Sequence, residues 1–378
     1  MSVVTDISTD HAMNQRPICH VFDLPIDRLT VQQVIDKVES YIRTRSPHQL
    51  AYLNAHCINQ AFEDNEYRKI LQQCDLVYPD GMGVVWASHL THSPLPERVN
   101  IGDFLIPLLQ LCEKKKYKIY FLGGEEGIAE KAVANLKVHA PNLQVVGMHH
   151  GYFTDEEEKT IIKEIIQTKP EILLVGFGVP DQEKWIHQHL DEINVPVAWG
   201  VGALFEYYSG KVSRAPFWMR SHGLEWLYRL VLEPGRMWKR YLIGNLLFIM
   251  KVIALVAVDI LTAATAWFAA YFLRLHLSPS LGPINAINTY IYSFPLIVIL
   301  WIGCSAWYGL YRRSKPISEF QEFYAIAKSA FLSLLISTSV AFLIKEWDLG
   351  RSVILSANIL NFLFLIVSRK LTRLWRSK

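Results

Sequence analysis

The feature that most constrains this chain is a step in polarity near residue 240. Beyond it lie four apolar runs, about Val252–Leu273, Tyr290–Leu310, Tyr324–Ile344 and Ser352–Ser368. Each is near the roughly 20 residues that a helix needs to span a bilayer, the last being the shortest. Lys and Arg are spread unevenly around them. Arg312, Arg313 and Lys315 follow the second run, and Arg369, Lys370, Arg373, Arg376 and Lys378 follow the fourth. Residues 274–289 hold only Arg274, and the short loop 345–351 balances its bases with acids. The positive-inside rule then puts both termini in the cytosol. Residues 252–378 are expected to form an all-α, four-helix transmembrane domain. Asp259 lies within the first run, where a carboxylate needs a neighbour to neutralise it.

Residues before the step have the composition of a soluble protein, so the overall hydrophobic share of 51% conceals two different parts. The net charge of +3 is small and scattered, and no nucleic-acid partner is expected. Cys19, Cys57, Cys74, Cys112 and Cys304 form no CxxC pair and no metal-ligand spacing, which fits a reduced compartment with buried thiols. Residues 1–19 contain acids and His but no apolar core, and are expected to be a disordered leader rather than a signal peptide.

From residue 20 onward, strand patterns alternate with helical ones. Strands are expected at His20–Leu24, Gln49–Asn54, Leu76–Tyr78, Lys118–Leu122, Leu143–Met148, Glu171–Gly176 and Val195–Gly200. Helices are expected at Val31–Arg43 (capped by Thr30), Ile58–Cys74, Val84–His89, Gly127–His139 and Asp155–Thr168. The spacing is that of βαβ units, so residues 20–216 should fold as an α/β domain around a mainly parallel, Rossmann-like sheet. The acidic start of the helix at Asp155 suits a helix N-terminus rather than a metal site. His149 and His150 have no third ligand at zinc spacing.

Parallel strands bring their carboxyl ends to one edge, where open α/β sheets bind ligands. Here those ends carry Asn54, Pro79-Asp80-Gly81, Gly123-Gly124, the segment to Gln182, and Gly200 to Gly202. Glycine turns opening helices can offer free N–H groups to a phosphate. No GxGxxG or GxxxxGK[ST] pattern occurs, and no D-x-D. Asp80 reads two ways, as a cap on the helix that follows or as a carboxylate facing a ligand. Arg98, Asp103 and Gln182 are the other polar candidates on this edge, and Asp103 equally suits a helix cap. Residues 217–251 mix Trp218, Trp226, Tyr228, Trp238 and Tyr241 with Arg and Lys. That mixture suits a helix lying on lipid headgroups, or an amphipathic helix packed on the domain.

The motifs LNAHC (53–57), DLVYPDGMGVVWA (75–87), PERV (96–99), FLGG (121–124), GYF (151–153), GFGVPDQEKW (176–185), GVGALFEYYSGKVSRAP (200–216) and GLEWLYRLVLEPGRMWKRYLIGN (223–245) resemble, in order and spacing, the WecG/TagA/CpsF family of glycosyltransferases. The resemblance covers roughly residues 20–245. It implies an inverting transfer of a hexosyl or N-acetylhexosaminyl group from a UDP-sugar to a polyprenyl-diphosphate-linked sugar, without metal or other cofactor, in bacterial surface polysaccharide synthesis. It also implies Asp80 as general base and Asn54 beside it. Arg98 would meet the donor phosphate, with Asp103, Gln182 and the glycines Gly123, Gly124, Gly200 and Gly202 lining the donor site. Arg229, Arg236 and Arg240 become candidates for the acceptor diphosphate, on a membrane-proximal appendage of residues 217–251. The family's Gly three after the Arg is Ile101 here, followed by Gly102, and its GVGxxFD reads GVGALFE, with Glu206. Tyr52 replaces a residue that is often Thr, and no role is carried to it.

Residues 250–378 loosely resemble the four-helix membrane region of polysaccharide-pathway dehydratases and phosphoglycosyltransferases. The Tyr311…Lys315 pair has dehydratase spacing but lacks a dinucleotide fingerprint. The expected location is the bacterial inner membrane, with the catalytic domain in the cytosol against lipid, and a homo-oligomer through the helices stays open. A second reading is a nucleotide-binding membrane scaffold without turnover.

Overall fold

The computed structural model describes residues 17–89, 94–277, 284–308, 310, 319–343 and 349–376. It divides into two compact units, one reaching to Phe248 and one beginning at Ile249. Most of the expected leader, Arg312, Arg313, Lys315, Tyr311 and Lys378 lie outside the described residues, as do the side chains of Arg373 and Arg376.

The first unit opens with β1 (Ile18–Val21) and β2 (Leu24–Asp27), paired antiparallel. The single strand expected over His20–Leu24 is therefore a hairpin. Phe22 and Asp23 take φ of 54° and 65° and reverse the chain between the strands, the conformation a two-residue hairpin turn requires. In α1 (Val31–Thr44) the Thr30 hydroxyl accepts from the Gln33 N–H and the Gln33 side chain reaches back to Thr30, a reciprocal cap. After β3 (Gln49–Leu53) the helix expected over Ile58–Cys74 is two helices, α2 (Ala55–Glu63) and α3 (Asn65–Gln73). Asp64 breaks them, with extended backbone and a side chain that caps α3 through the Tyr67 N–H.

The chain continues through β4 (Leu76–Pro79), α4 (Met82–His89), α5 (Ile101–Lys115), β5 (Lys118–Gly123), α6 (Ile128–Leu136) and β6 (Gln144–His149). Then come α7 (Asp155–Thr168), β7 (Ile172–Gly176), α8 (Asp181–Ile193), β8 (Val197–Gly200) and α9 (Leu204–Tyr208). Strands β4-β3-β8-β7-β5-β6 form one sheet, and every neighbouring pair in it is parallel. All residues of β3, β4 and β8 are buried, as expected of parallel strands covered on both faces. Leu53 pairs with Pro79, Gly123 with Gly176, and Val175 with Gly200, so five strands end along one edge. The α/β, Rossmann-like expectation stands.

Beyond β8 lie α10 (Phe217–Ser221), α11 (Glu225–Leu232), α12 (Pro234–Trp238), a π-helical turn at Lys239–Ile243 and α13 (Gly244–His276). Phe217, Trp218, Val231, Trp238, Leu242 and Leu246 are exposed along this stretch.

The second unit contains most of α13 with α14 (Ile287–Trp307), α15 (Glu319–Leu343) and α16 (Arg351–Arg376). All four helices are long and apolar enough to cross a membrane. Ala263, Ala266 and Ala270 share one face of α13 and let Trp267, Tyr290 and Trp301 pack closely. Asn358 on α16 accepts from Trp301 Nε1 at 3.1 Å and Ser333 Oγ at 2.9 Å. It donates to Ser337 at 3.3 Å. Asp259 meets Arg369 at 2.6 Å, so the neighbour expected for this carboxylate is a residue read from sequence as a flanking charge. The contact also puts the early part of α13 and the end of α16 on the same side of the unit.

Candidate active site

The backbone N–H of Asp80 donates to Leu53 O at 2.9 Å, which carries the β3–β4 ladder one step past Pro79. Asp80 therefore stands beside Asn54, at the carboxyl ends of two neighbouring strands. Asn54 is the N-cap of α2. Its Oδ1 accepts from the N–H groups of His56 and Cys57 at 3.0 and 3.1 Å. With the oxygen committed to the helix, Nδ2 faces the other way and donates to Asp80 Oδ2 at 3.2 Å.

The same arrangement recurs on the other carboxylate oxygen. Asn100 is the N-cap of α5, and its Oδ1 accepts from Gly102 N–H at 2.9 Å. Its Nδ2 donates to Asp80 Oδ1 at 2.5 Å. A bond from Val99 N–H to Pro79 O at 2.8 Å ties this segment to the end of β4. One alternative is corrected here. Asn100, not Asp103, caps α5, and Asp103 sits in its first turn. Asp80 is bound by the side chains that cap α2 and α5.

Arg98 donates through Nη1 to Glu225 Oε2 at 3.0 Å and through Nη2 to Asp103 Oδ2 at 2.6 Å. Asp103 also accepts from Arg214 Nη2 at 2.9 Å and from Arg220 Nη1. One acid thus gathers three guanidinium groups from three parts of the chain. Reading the sequence singled out Arg98 and Asp103 but missed Asn100, Arg214, Arg220 and Glu225.

Burial pushes the Asp80 carboxyl above its ordinary value. The Arg98 charge pulls it back, Glu225 raises it, and the amides of Asn54 and Asn100 lower it, with a net rise. Nearby His56 is held down at about 4, by burial first and then by the Arg240 charge, so it is neutral at pH 7.

Two of the glycine N–H groups at the strand ends are engaged within the protein. Gly124 N–H donates to Gly176 O at 3.2 Å, and Gly202 N–H to Gln182 Oε1 at 2.8 Å. The glycines are required by close approach. Gly123 has φ of 140°, and a Cβ there would lie 2.6 Å from Gly176 O. Gly202 has φ of 58°, and a Cβ there would lie 2.6 Å from the Tyr52 hydroxyl. Gln182 is fully buried. Its Nε2 donates to Glu183 Oε1 at 2.7 Å, and a Cβ on Gly200 would lie 2.8 Å from that nitrogen. Gln182, Gly200 and Gly202 thus form one packed unit behind the strand edge. Burial pushes the Glu183 carboxyl up to about 8.

The profile of the Glycosyl transferase WecG/TagA/CpsF family matches residues 19–258. This chain belongs to that family. It is 33% identical over 223 residues to the N-acetylglucosaminyldiphosphoundecaprenol N-acetyl-beta-D-mannosaminyltransferase of Bacillus subtilis, a match covering 59% of this chain and 86% of that enzyme. The enzyme of the same description from Staphylococcus aureus strain NCTC 8325 is 31% identical over 228 residues, covering 60% of this chain and 87% of that one. The protein is a glycosyltransferase, and the matched segment includes every residue of the site described above.

The glycosyltransferase places its three further arginines differently from one another. Arg229 is buried, lies 5.4 Å from the centre of the Tyr207 ring, and has no hydrogen-bond partner for Nε or Nη2 among the described residues. Arg240 is half-buried beside Tyr241, and its Nε is likewise unpartnered. Arg236 is exposed, at 3.5 Å from Glu233 and 3.8 Å from Glu206.

Proposed function

We propose that this glycosyltransferase transfers a hexosyl or N-acetylhexosaminyl group from a UDP-sugar to the sugar of a polyprenyl-diphosphate carrier, with inversion, and that Asp80 is the general base. The observation that carries the reading is the Asp80 carboxylate, fixed at the strand edge by one amide on each oxygen. Each carboxylate oxygen has two acceptor directions, so one on each stays open for an incoming hydroxyl proton. The acceptor oxygen bonds to the anomeric carbon as the bond from that carbon to the UDP phosphate oxygen breaks. The hydroxyl proton goes to Asp80, and UDP leaves with the bonding pair. A carboxyl raised by burial is a stronger base than an exposed one.

Asn54 holds the base, and Arg98 stabilises charge on the leaving diphosphate. Asp103 orients Arg98. Gln182, with Gly200 and Gly202, shapes the donor cleft, as does the Gly123–Gly176 approach. Gly124 leads to α6, whose N-terminus has no side-chain cap and leaves N–H groups for a phosphate. Arg229, Arg236 and Arg240 meet the acceptor diphosphate, and the unpartnered N–H groups of Arg229 favour an anion there. The relatives' named acceptor is a diphosphoundecaprenol-linked N-acetylglucosamine, which supports the carrier class. No metal and no cofactor is invoked.

The exposed aromatics of α10 to α13 suit contact with lipid, and the apolar helices suit a multi-pass protein of the bacterial inner membrane. The uneven distribution of Lys and Arg supports cytosolic termini and a cytosolic catalytic unit.

The test is acceptor-dependent UDP release by the full chain in detergent, with and without Asp80→Asn. The substitution should lower turnover by roughly 10²–10⁴-fold while the protein stays folded. A near-normal rate removes Asp80 from the chemistry. UDP-sugar binding by the unaltered chain without turnover would instead support the scaffold reading.

A further inference from the structure

We propose that Asn100 is a positioning residue for sugar transfer: it is the second jaw of a clamp, opposite Asn54, that fixes the plane of the Asp80 carboxylate. The proposal rests on the reading of Asp80 as base and deepens it.

Helix capping explains only half of what Asn100 does. The cap uses Oδ1, which accepts from Gly102 N–H at 2.9 Å. Ser, Thr or Asp would serve there as well. Only Asn carries, on the same rigid plane, a donor aimed away from the helix. That donor reaches Asp80 Oδ1 at 2.5 Å.

The amide cannot turn over without giving up the cap, and Arg214 holds it further. Arg214 Nη2 lies 3.4 Å from Asn100 Oδ1, and Nη1 donates to Gly102 O at 2.6 Å. Asn54 repeats the logic from α2, with its oxygen on two helix amides and its nitrogen on Asp80 Oδ2. A carboxylate gripped on both oxygens by groups anchored in two different helices cannot swing about its last torsion. Its remaining lone pairs keep one direction, as a base acting on a positioned hydroxyl requires.

The charged and titratable groups acting on Asp80 come from several elements. Arg98 precedes α5, Glu225 lies on α11, Tyr52 on β3, Tyr78 on β4 and Tyr207 on α9. None of these replaces the Asn100 donor, which is bonded to the carboxylate directly.

The experiment compares Asn100→Ser and Asn100→Asp with the unaltered full chain in detergent. UDP release is followed with N-acetylglucosaminyl-diphosphoundecaprenol and whichever sugar, from a panel of UDP-hexoses and UDP-N-acetylhexosamines, the unaltered chain turns over. Both substitutions keep a cap acceptor and remove the amide N–H group that reaches Asp80. Asn100→Ser should lower kcat by roughly 10–100-fold, the range for a hydrogen bond to a charged group, with donor KM changed little. The acid limb of kcat against pH should move upward, because a bond favouring the ionised carboxyl is gone. Asn100→Asp should move it further, since a second negative charge is added.

Rates and acid limbs unchanged in both variants overturn the proposal and leave Asn100 as a cap alone. A loss of rate that follows loss of folded protein, with the acid limb unmoved, overturns it equally. Asp80→Asn run alongside separates the two claims. If that variant turns over normally, the base assignment fails. If it is dead while the Asn100 variants are normal, only the clamp fails. A panel on which the unaltered chain turns over nothing counts against the proposed function and this proposal together.

Discussion

In the four-helix unit, several polar side chains inside the bundle pair with one another. Asp259 meets Arg369, Asn358 meets Trp301, Ser333 and Ser337, and Ser305 meets Ser329. In the α/β unit the polar groups converge instead on one strand edge, and burial works against some of them. Asp80 and Glu183 are raised, and Nε and Nη2 of buried Arg229 have no hydrogen-bond partner among the described residues. The first pattern is that of polar contacts holding helices together where no water competes. The second, in which burial shifts titratable groups, is the pattern common at functional sites. The location of perturbed electrostatics, more than the number of charges, separates the two units.

The contrast can be broken at several points. The largest effect expected is the loss of turnover in Asp80→Asn, with no comparable effect on folding.

Next is the ion pair of the helical unit. Asp259→Leu takes from Arg369 its carboxylate partner at 2.6 Å, and should cost about 1.5–3 kcal/mol, as loss of a hydrogen bond to a charged group does. The double change with Arg369→Leu should recover much of this, since apolar side chains of similar size replace buried pairs well. Thermal unfolding in detergent measures both. If the single change is harmless, the pair is not the structural device described.

Glu183 gives the third test. Its carboxyl titrates at about 8 in the folded protein against an ordinary value of 4.5. Between these values the folded state holds a proton that the unfolded state has released. Stability is therefore full below the lower value and falls as pH rises through the upper one. Glu183→Gln should flatten that slope and make the protein more stable than the unaltered chain above pH 8. Denaturation followed across this range decides it, and an unchanged slope would show that the acid is not held neutral.

The smallest effect expected is for Asn358→Leu, which removes the bundle's central amide. Interhelical hydrogen bonds of this kind contribute about 0.5–2 kcal/mol, so a modest fall in Tm should appear with unchanged turnover. A large loss of turnover would mean that the two units do not divide labour as described.

Much of the fold could be read in the sequence because its signals are local. Thr30 before an amphipathic run marks α1, and Pro79 with Gly81 marks the end of β4. The four apolar runs mark the helical unit. Asp80 was legible for the same reason, since a strand that stops at a Pro-Asp-Gly turn leaves the acid at a sheet edge.

The misreadings have local causes too. Phe22 and Asp23 adopt positive φ without glycine, so the turn between β1 and β2 was hidden. Asp64 caps α3 within a run that otherwise reads as one helix. The partners of the site were hidden for a different reason. Asn100 looks like any residue before a helix, and its second bond exists only because β4 ends beside it. Arg214, Arg220 and Glu225 reach Asp103 and Arg98 across more than a hundred residues, and no periodicity reports such a meeting.

The gathering of Arg98, Arg214 and Arg220 on Asp103 has one more consequence. Long cationic side chains normally lose much rotational freedom when they close on an anion. Here the protein's own acid holds them as the chain folds, so on the proposed reading Arg98, already fixed in place, would meet a donor phosphate. If Arg98 has that role, selectivity for the donor would rest on the fixed spacing of its guanidinium more than on the sum of charge.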